Sequence, residues 1–199
     1  MHTLVLILIG FLSGSLPFSY WLGKSLHHID IRSVGDGNPG ASNVFLAGSR
    51  WVGVLAIILD FSKGFFPVLL LASGIGSHNQ LLFTVFCISP VLGHAFSPFM
   101  GCRGGKAIAV TFGIWSGLTL WVVPTTLGIL LAWGRVCVTI SSNGWIVMLA
   151  LVGTAGSLVI LRVPQSYWFV WCLNIVIVGY KHRVDLSQPL RISSRRTTC

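Results

Sequence analysis

The chain has 199 residues, of which 54% are hydrophobic and only 9% are charged, and its mean hydropathy is +0.84. Because a soluble domain carries about 25% charged residues, this chain has too few charges to cover a water-exposed surface. Thirteen Lys and Arg against four Asp and no Glu give a net charge of +9. These cations are single residues between apolar runs, whereas a nucleic-acid interface needs a clustered basic face, so that class is excluded.

Apolar stretches recur along the chain, and a helix needs about 20 such residues to cross a bilayer. Five stretches are adequate, at residues 4–23, 51–75, 79–100, 136–161 and 165–180. The stretch 107–133 is over-long for one span, and two short or partly inserted helices broken near Ser116, Gly117 and Pro124 also fit. The pattern predicts an all-α, polytopic membrane protein.

The cations favour two helices in residues 107–133, because Lys and Arg are retained on the cytoplasmic side of a membrane. With two helices the chain has about seven spans, and eleven of its thirteen cations lie on one side. These are Lys24, Arg32, Arg50, Arg103, Lys106, Arg135, Lys181, Arg183, Arg191, Arg195 and Arg196. We therefore predict seven transmembrane helices, with the amino terminus outside and the carboxy terminus cytoplasmic. Residues 1–180 are expected to form one transmembrane domain and residues 181–199 a basic cytoplasmic tail.

The first polar segment, residues 24–50, contains Gly35, Gly37 and Gly40 in the spacing G-x-G-x-x-G. A dinucleotide site is not expected, because no strand precedes these glycines and no βαβ unit is possible. Closely spaced glycines nevertheless let backbone N–H groups converge on an anion. Further side-chain donors are present at Asn38, Ser42 and Asn43. An ordinary polar loop of turn residues is the alternative.

The second polar segment, residues 101–106, directly precedes an apolar stretch that begins at Ala107. Gly104, Gly105 and Lys106 would combine free N–H groups, a helix dipole and a cation, which together favour phosphate. Arg103 is a second cation in the same segment. The alternative is that both cations only mark the cytoplasmic side.

Two kinds of ionisable residue lie within or beside the predicted spans. Asp60 and Lys63 are three residues apart and so share a helix face, which predicts either a self-neutralising structural pair or a direct role with substrate. His94 and His182 suit interfacial hydrogen bonding, phosphate binding or proton transfer. The five cysteines are scattered singly, so we expect no metal site and no cofactor.

Six short sequence motifs (tags, below), in this order along the chain, resemble those of the PlsY family, the integral-membrane glycerol-3-phosphate acyltransferases that use acyl phosphate. The resemblance covers nearly the whole chain. The tags are Ser13-Gly14-Ser15-Leu16-Pro17-Phe18, Asp30-Ile31-Arg32 with Gly37-Asn38-Pro39-Gly40-Ala41-Ser42-Asn43-Val44, Leu59-Asp60-Phe61-Ser62-Lys63-Gly64, Val91-Leu92-Gly93-His94-Ala95-Phe96, Arg103-Gly104-Gly105-Lys106 and Tyr180-Lys181-His182-Arg183.

The resemblance implies a seven-helix fold that transfers a fatty acyl group from acyl phosphate to the 1-hydroxyl of glycerol 3-phosphate, giving lysophosphatidate. No side-chain nucleophile is implied, and His182 is the candidate that orients the acceptor. The implied substrate-binding set is Gly37, Asn38, Gly40, Ser42, Asn43, Arg103, Gly104, Gly105, Lys106, Ser141 and His182. The implied location is the bacterial plasma (inner) membrane, with membrane lipids and the two substrates as partners and the active face cytoplasmic.

Several positions depart from the family pattern, including three that add an acid or remove a cation, and two rival functions follow. Asp36 replaces a Ser, Leu46 replaces an Arg, and Asp185 replaces an Asn. Arg50, four residues after Leu46, is a candidate substitute for the lost Arg. One rival is a divergent paralogue with another acceptor or no activity. The other is a small membrane transporter, in which Asp60 and Lys63 would be charges that line the transport pathway.

Overall fold

The computed structural model describes residues 2–48, 50–75, 79–140, 142–190 and 192–194. Almost all ordered elements in these ranges are helical. The helices are α1 (His2–Ser15), α2 (Phe18–His27), α3 (Ala41–Leu46), α4 (Arg50–Ile75), α5 (Gln80–Ala95), α6 (Ile108–Thr119), α7 (Val122–Val136), α8 (Asn143–Gly153), α9 (Ala155–Ile160), α10 (Gln165–Lys181) and α11 (Arg183–Leu186). Single 3₁₀ turns lie at Ile31–Ser33 and Pro98–Met100.

Four helical segments in the described residues are long and apolar enough to cross a membrane. They are Leu4–His27, Arg50–Leu70, Gln80–Met100 and Asn143–Ile160. The first combines α1 and α2, which are separated at Pro17 because proline has no N–H to continue the helical ladder. α6, α7 and α10 are also apolar but have only 12, 15 and 17 residues.

The ambiguous stretch 107–133 forms two helices, which meet at Leu120. This residue has φ +54° and ψ −115°, so the backbone leaves the helical region there. The break lies between Gly117 and Pro124, two of the three residues near which a break was predicted. Pro124 itself lies in the first turn of α7, where a missing N–H costs no hydrogen bond.

A short β-ribbon is present beside the helices of the predicted all-α fold. β1 (Val138–Ile140) pairs antiparallel with β2 (Ile192–Ser194), with Val138 opposite Ser194. The ribbon ties the end of α7 to residues predicted to form a tail. The preceding residues also pack on the helices, since the Trp145 indole N–H donates to the Gln188 carbonyl over 2.9 Å.

Glycines let two pairs of helices approach closely. A Cβ atom at Gly14 in α1 would overlap the carbonyl of Pro90 in α5, and one at Gly113 in α6 would overlap the carbonyl of Phe61 in α4. In lipid, where water does not drive helices together, such close backbone contact is a main source of helix association. α4 and α6 therefore form a rigid wall, and the site described below lies beside it.

Replacing Gly113 by Ala is expected to destabilise the protein by about 1–3 kcal/mol, because the added methyl group has only backbone to displace. Gly156→Ala in α9 is the matched control, since nothing lies within 4 Å of the Cβ it would add. That control should be neutral or slightly stabilising, as Ala favours helix over Gly. Thermal midpoints in detergent compare the two variants, and equal midpoints would contradict the packing argument.

The outer surface is apolar over most of the bundle. Trp51 is 84% exposed, Ile160 80% and Leu81 71%. Soluble monomers rarely expose apolar surface on this scale, so such a surface indicates contact with lipid. The interior is built mainly from α5, α6, α8 and α10, with smaller contributions from α4, α7 and α9, and its largest fully buried side chain among the described residues is Trp115.

Candidate active site

A cavity of about 350 Å³ lies where the first polar loop meets α4, α5, α6 and α7. Its wall combines polar and charged groups with an apolar surface. The lining residues are Asn38, Gly40, Ala41, Ser42, Phe45, Ile57, Asp60, His94, Lys106, Ala107, Ile108, Ala109, Phe112 and Arg135. Such a cavity suits a ligand that has both a polar head and an apolar chain.

The buried amide of Asn43 holds the first polar loop in shape. Its Nδ2 donates to the carbonyls of Val34 and Asn38, over 2.7 and 2.9 Å. It also lies 3.0 Å from Asp36 Oδ1, which accepts a bond from the Asn38 N–H as well. Gly37 adopts φ +73°, a conformation that favours glycine. Asn43 and Gly37 therefore shape the loop, whereas Asn38 and its neighbours Gly40 and Ser42 line the cavity.

The two glycines before Lys106 do not offer their amides to a phosphate, which corrects the predicted cradle. The Gly104 N–H donates to the Ala95 carbonyl over 3.2 Å, and the Gly105 N–H donates to the His94 carbonyl over 3.1 Å. Both bonds are made to the end of α5. A Cβ at Gly104 would overlap the His94 carbonyl, and one at Gly105 would overlap the His94 ring. The glycines therefore serve close packing.

Lys181 at the end of α10 fixes this turn from the other side. Its Nζ donates to the carbonyls of Ala95 and Gly104, over 2.9 and 2.8 Å. A lysine that caps two carbonyls positions the backbone rather than binding a ligand. The turn before Lys106 is thus held by bonds from two helices.

Lys106 lies between two carboxylates. Its Nζ is 2.9 Å from Asp36 Oδ2 and 2.7 Å from Asp185 Oδ2. Burial opposes ionisation of Asp36 and is the largest single influence, but the hydrogen bonds from Lys106, the Asn38 N–H and Asn43, with the charge of Lys106, together keep the pKa of this carboxyl below its usual value. Burial also opposes the charge on Lys106, but its bonds to Asp185 and Asp36 raise the pKa of the ammonium. The Lys106 ammonium and the Asp36 carboxylate are therefore both charged at neutral pH.

The Lys106–Asp36 ion pair should contribute a constant stability through the neutral range. The lowered pKa of Asp36 means that its contribution is present above the usual 3.8 and is lost as pH falls through the folded value. The raised pKa of Lys106 means that its contribution is present below the usual 10.5 and is lost as pH rises through the folded value. The midpoint difference between wild type and Asp36→Asn should be flat from about pH 5 to about pH 9. A difference that changes between about pH 6 and 8 would contradict this.

A second ionic group lies at the cavity wall and is deeply buried. Lys63 Nζ is 2.7 Å from Asp60 Oδ1, and the Ser19 hydroxyl donates to Asp60 Oδ2 over 2.6 Å. Lys63 also donates to the Leu16 carbonyl over 2.7 Å. The imidazole Nδ1 of His94 lies 4.0 Å from Asp60 Oδ1. The network therefore links α4 with α5 and with the break between α1 and α2.

His182 is buried at the end of α10. It does not belong to the described lining of the cavity. Its Nδ1 lies 2.9 Å from the Val178 carbonyl, which can only accept, so Nδ1 carries the proton in this contact. Burial lowers the pKa of His182 below its usual value, so the ring is neutral near pH 7 and Nε2 is left as an acceptor. An acceptor nitrogen of this kind can orient a hydroxyl.

The remaining residues singled out from sequence differ in where they lie relative to the cavity. Ser141 is outside the described residues, and its neighbour Ser142 donates to the Asp185 carbonyl over 2.9 Å. Arg103 and Arg50 are both exposed and lie outside the cavity wall. Arg135, interpreted from sequence only as a cytoplasmic marker, lines the cavity. The sequence shows only that Arg135 lies near the end of an apolar stretch, and this does not specify where its side chain points.

A sequence profile of the family described as glycerol-3-phosphate acyltransferase matches residues 4–191. The chain belongs to this family. It is 36% identical to glycerol-3-phosphate acyltransferase 1 of Thermotoga maritima over 96% of this chain and 99% of that protein. It is 33% identical to the Syntrophomonas wolfei glycerol-3-phosphate acyltransferase over 100% of this chain and 98% of that protein.

Solved structures of the integral membrane protein PlsY have the same fold. The glycerol 3-phosphate form superposes with a TM-score of 0.83 and 26% identity, covering 94% of this chain and 91% of that one. The lysophosphatidic acid form gives a TM-score of 0.82 and 25% identity over the same shares. The predicted resemblance to the PlsY family is therefore confirmed. So is the coarser fold prediction, a largely helical integral membrane protein.

Proposed function

We propose that the protein transfers a fatty acyl group from acyl phosphate to the 1-hydroxyl of glycerol 3-phosphate, releasing phosphate and lysophosphatidate. The observation that carries this proposal is the cavity itself. It places Lys106, Asn38 and Ser42 in one wall with the apolar side chains of Phe45 and Phe112. A fatty acyl phosphate has the same two parts, a charged head and an apolar chain.

The chemistry needs positioning more than a protein nucleophile. Acyl phosphate is an activated mixed anhydride, so the acceptor oxygen attacks the acyl carbon, the carbon–oxygen bond to phosphate breaks, and phosphate leaves. Holding the two reactants together in the right orientation supplies a large share of such a rate enhancement. We assign Asn38 and Ser42 as donors to substrate, His182 as the residue that orients the acceptor, and Lys106 as the cation nearest the reacting phosphate. The acceptor proton passes to a substrate phosphate.

We also propose the finer topology, with seven membrane-crossing helices in the bacterial inner membrane. α6, α7 and α10 would cross in addition to the four longer segments, with the amino terminus outside and the carboxy terminus in the cytoplasm. The charge distribution supports this arrangement, since it places eleven of thirteen cations on the cytoplasmic side. The cavity, with Lys106 and Arg135 in its wall, would then open towards the compartment that holds glycerol 3-phosphate.

Product formation by the purified protein tests the reaction. The protein in detergent or lipid is incubated with radiolabelled glycerol 3-phosphate and, in separate reactions, acyl phosphate, acyl-CoA or acylated acyl carrier protein. We expect labelled lysophosphatidate only in the reaction whose acyl donor is acyl phosphate. No product with any donor would overturn the proposal, and product with only another donor would overturn the donor assignment. Uptake of label into proteoliposomes without acyl transfer would instead indicate a transporter.

A further inference from the structure

We infer that Arg135 is a second cation, besides Lys106, that binds a substrate phosphate in the cavity. This inference rests on the proposed function, in which both the acyl donor and the acceptor carry a phosphate. Arg135 lies in the last turn of α7, and it lines the same cavity as Lys106, Asn38 and Ser42. The acyl phosphate and the glycerol 3-phosphate present the same chemistry to it, an oxygen-rich dianion.

The charges around the cavity explain why this role falls to Arg135. Among the described lining residues, the charged side chains are Asp60, Lys106 and Arg135. Asp60 is already paired with Lys63 at 2.7 Å. Lys106, the cation nearest the reacting phosphate, is shared with two carboxylates, so it does not by itself balance the charge of a phosphate dianion.

Arg135 differs from both groups because no described residue pairs with its charge. Its side chain makes no hydrogen bond or ion pair with any residue that the structure describes. It is also exposed, so it remains hydrated and unpaired at little cost until a ligand arrives. A guanidinium presents a planar fork of N–H donors that matches two phosphate oxygens at once, which an ammonium does not.

Arg135 also compensates for a cation that is missing from the first polar segment. Leu46, where the family pattern has Arg, is 66% exposed and is not part of the cavity wall among the described residues. Arg50, the substitute suggested by the sequence, is likewise outside that wall. Arg135 lies on α7, far from Leu46 in the sequence, so residues near Leu46 give no indication of it.

The test compares Arg135→Gln with wild type in two measurements. The first is equilibrium binding of radiolabelled glycerol 3-phosphate to the full-length protein in detergent. The second is the KM for each substrate in the lysophosphatidate assay. Arg162→Gln is the control, because Arg162 is an exposed arginine outside the cavity wall and its replacement removes the same charge. Arg135→Lys keeps the charge but removes the fork.

We expect Arg135→Gln to weaken binding or raise one KM by about 10- to 100-fold, the usual effect of losing a charged hydrogen bond. Arg135→Lys should recover only part of it, and Arg162→Gln should match wild type. A higher KM for glycerol 3-phosphate assigns Arg135 to the acceptor, and a higher KM for acyl phosphate assigns it to the donor. Unchanged binding and unchanged KM for both substrates would overturn the inference. Wild type that binds glycerol 3-phosphate through Arg135 but forms no product would overturn only the proposed reaction.

Discussion

Lys106→Ala is expected to lower kcat/KM for lysophosphatidate formation by about 100- to 1,000-fold, the range seen when one catalytic hydrogen-bond donor is removed. The loss has two physical sources. The variant lacks the ammonium nearest the reacting phosphate. It also leaves Asp36 and Asp185 without the cation that lies 2.9 and 2.7 Å from their carboxylates, so two negative charges face an anionic substrate. Steady-state kinetics with both substrates varied measures the effect.

The second source can be separated from the first by neutralising the carboxylates. In the Lys106→Ala background, Asp36→Asn with Asp185→Asn should recover about 10-fold of the lost activity, because repulsion of the substrate is removed. Asn at residue 36 keeps the oxygen that accepts from the Asn38 N–H, so the loop should hold its shape. Lys24→Ala, at an exposed lysine outside the cavity wall, is the control for loss of a positive charge.

The same substitutions in the wild-type background decide what the two acids do. If they compete with substrate for Lys106, Asp36→Asn should lower the KM for a phosphorylated substrate by a few-fold, since one opposing charge is gone. If the variant instead loses activity as severely as Lys106→Ala, the acids are part of the acceptor site. That outcome would support a paralogue that takes a different acceptor.

Much of the fold could be predicted because membrane helices are encoded locally. Length and hydropathy located the long apolar helices, and the arrangement of cations favoured dividing residues 107–133, which the structure divides at Leu120. The break at Pro17 was missed, because a predicted span of 4–23 ignores a proline that the membrane pattern tolerates. The β-ribbon was also missed, since its two strands lie more than 50 residues apart and have only three residues each, too few to show a pattern.

The site could be predicted only in part, because its contacts depend on residues distant in sequence. The motifs singled out Asn38, Ser42 and Lys106 in two separate polar segments, and these residues line one cavity. From sequence, Asp36 is only a departure from the family pattern, an acid in place of a Ser. Its ion pair with Lys106, 70 residues along the chain, shows that it acts first on the lysine. No local pattern contains that information, and the same holds for Arg135.

Lys63→Met is expected to destabilise the protein by about 3–5 kcal/mol, the usual cost of removing one partner of a buried ion pair. Asp60 and Lys63 are only 2% and 5% exposed, so the remaining carboxylate would have no solvent to stabilise it. Lys63 also bonds the Leu16 carbonyl at the break between α1 and α2, and the variant loses that contact too. Unfolding in detergent, followed by thermal midpoint and by loss of monodisperse protein, measures the change.

Asp60→Asn combined with Lys63→Met separates a structural role from a role with substrate. Neutralising both partners removes the uncompensated charge, so the double variant should be more stable than Lys63→Met alone. Ser19, whose hydroxyl donates to Asp60, can still donate to the Asn oxygen. If the double variant folds and keeps its kcat/KM, the pair only holds the helices together. If it folds but loses activity, the carboxylate at the cavity wall acts on the substrate, because charge balance and packing would both have been preserved.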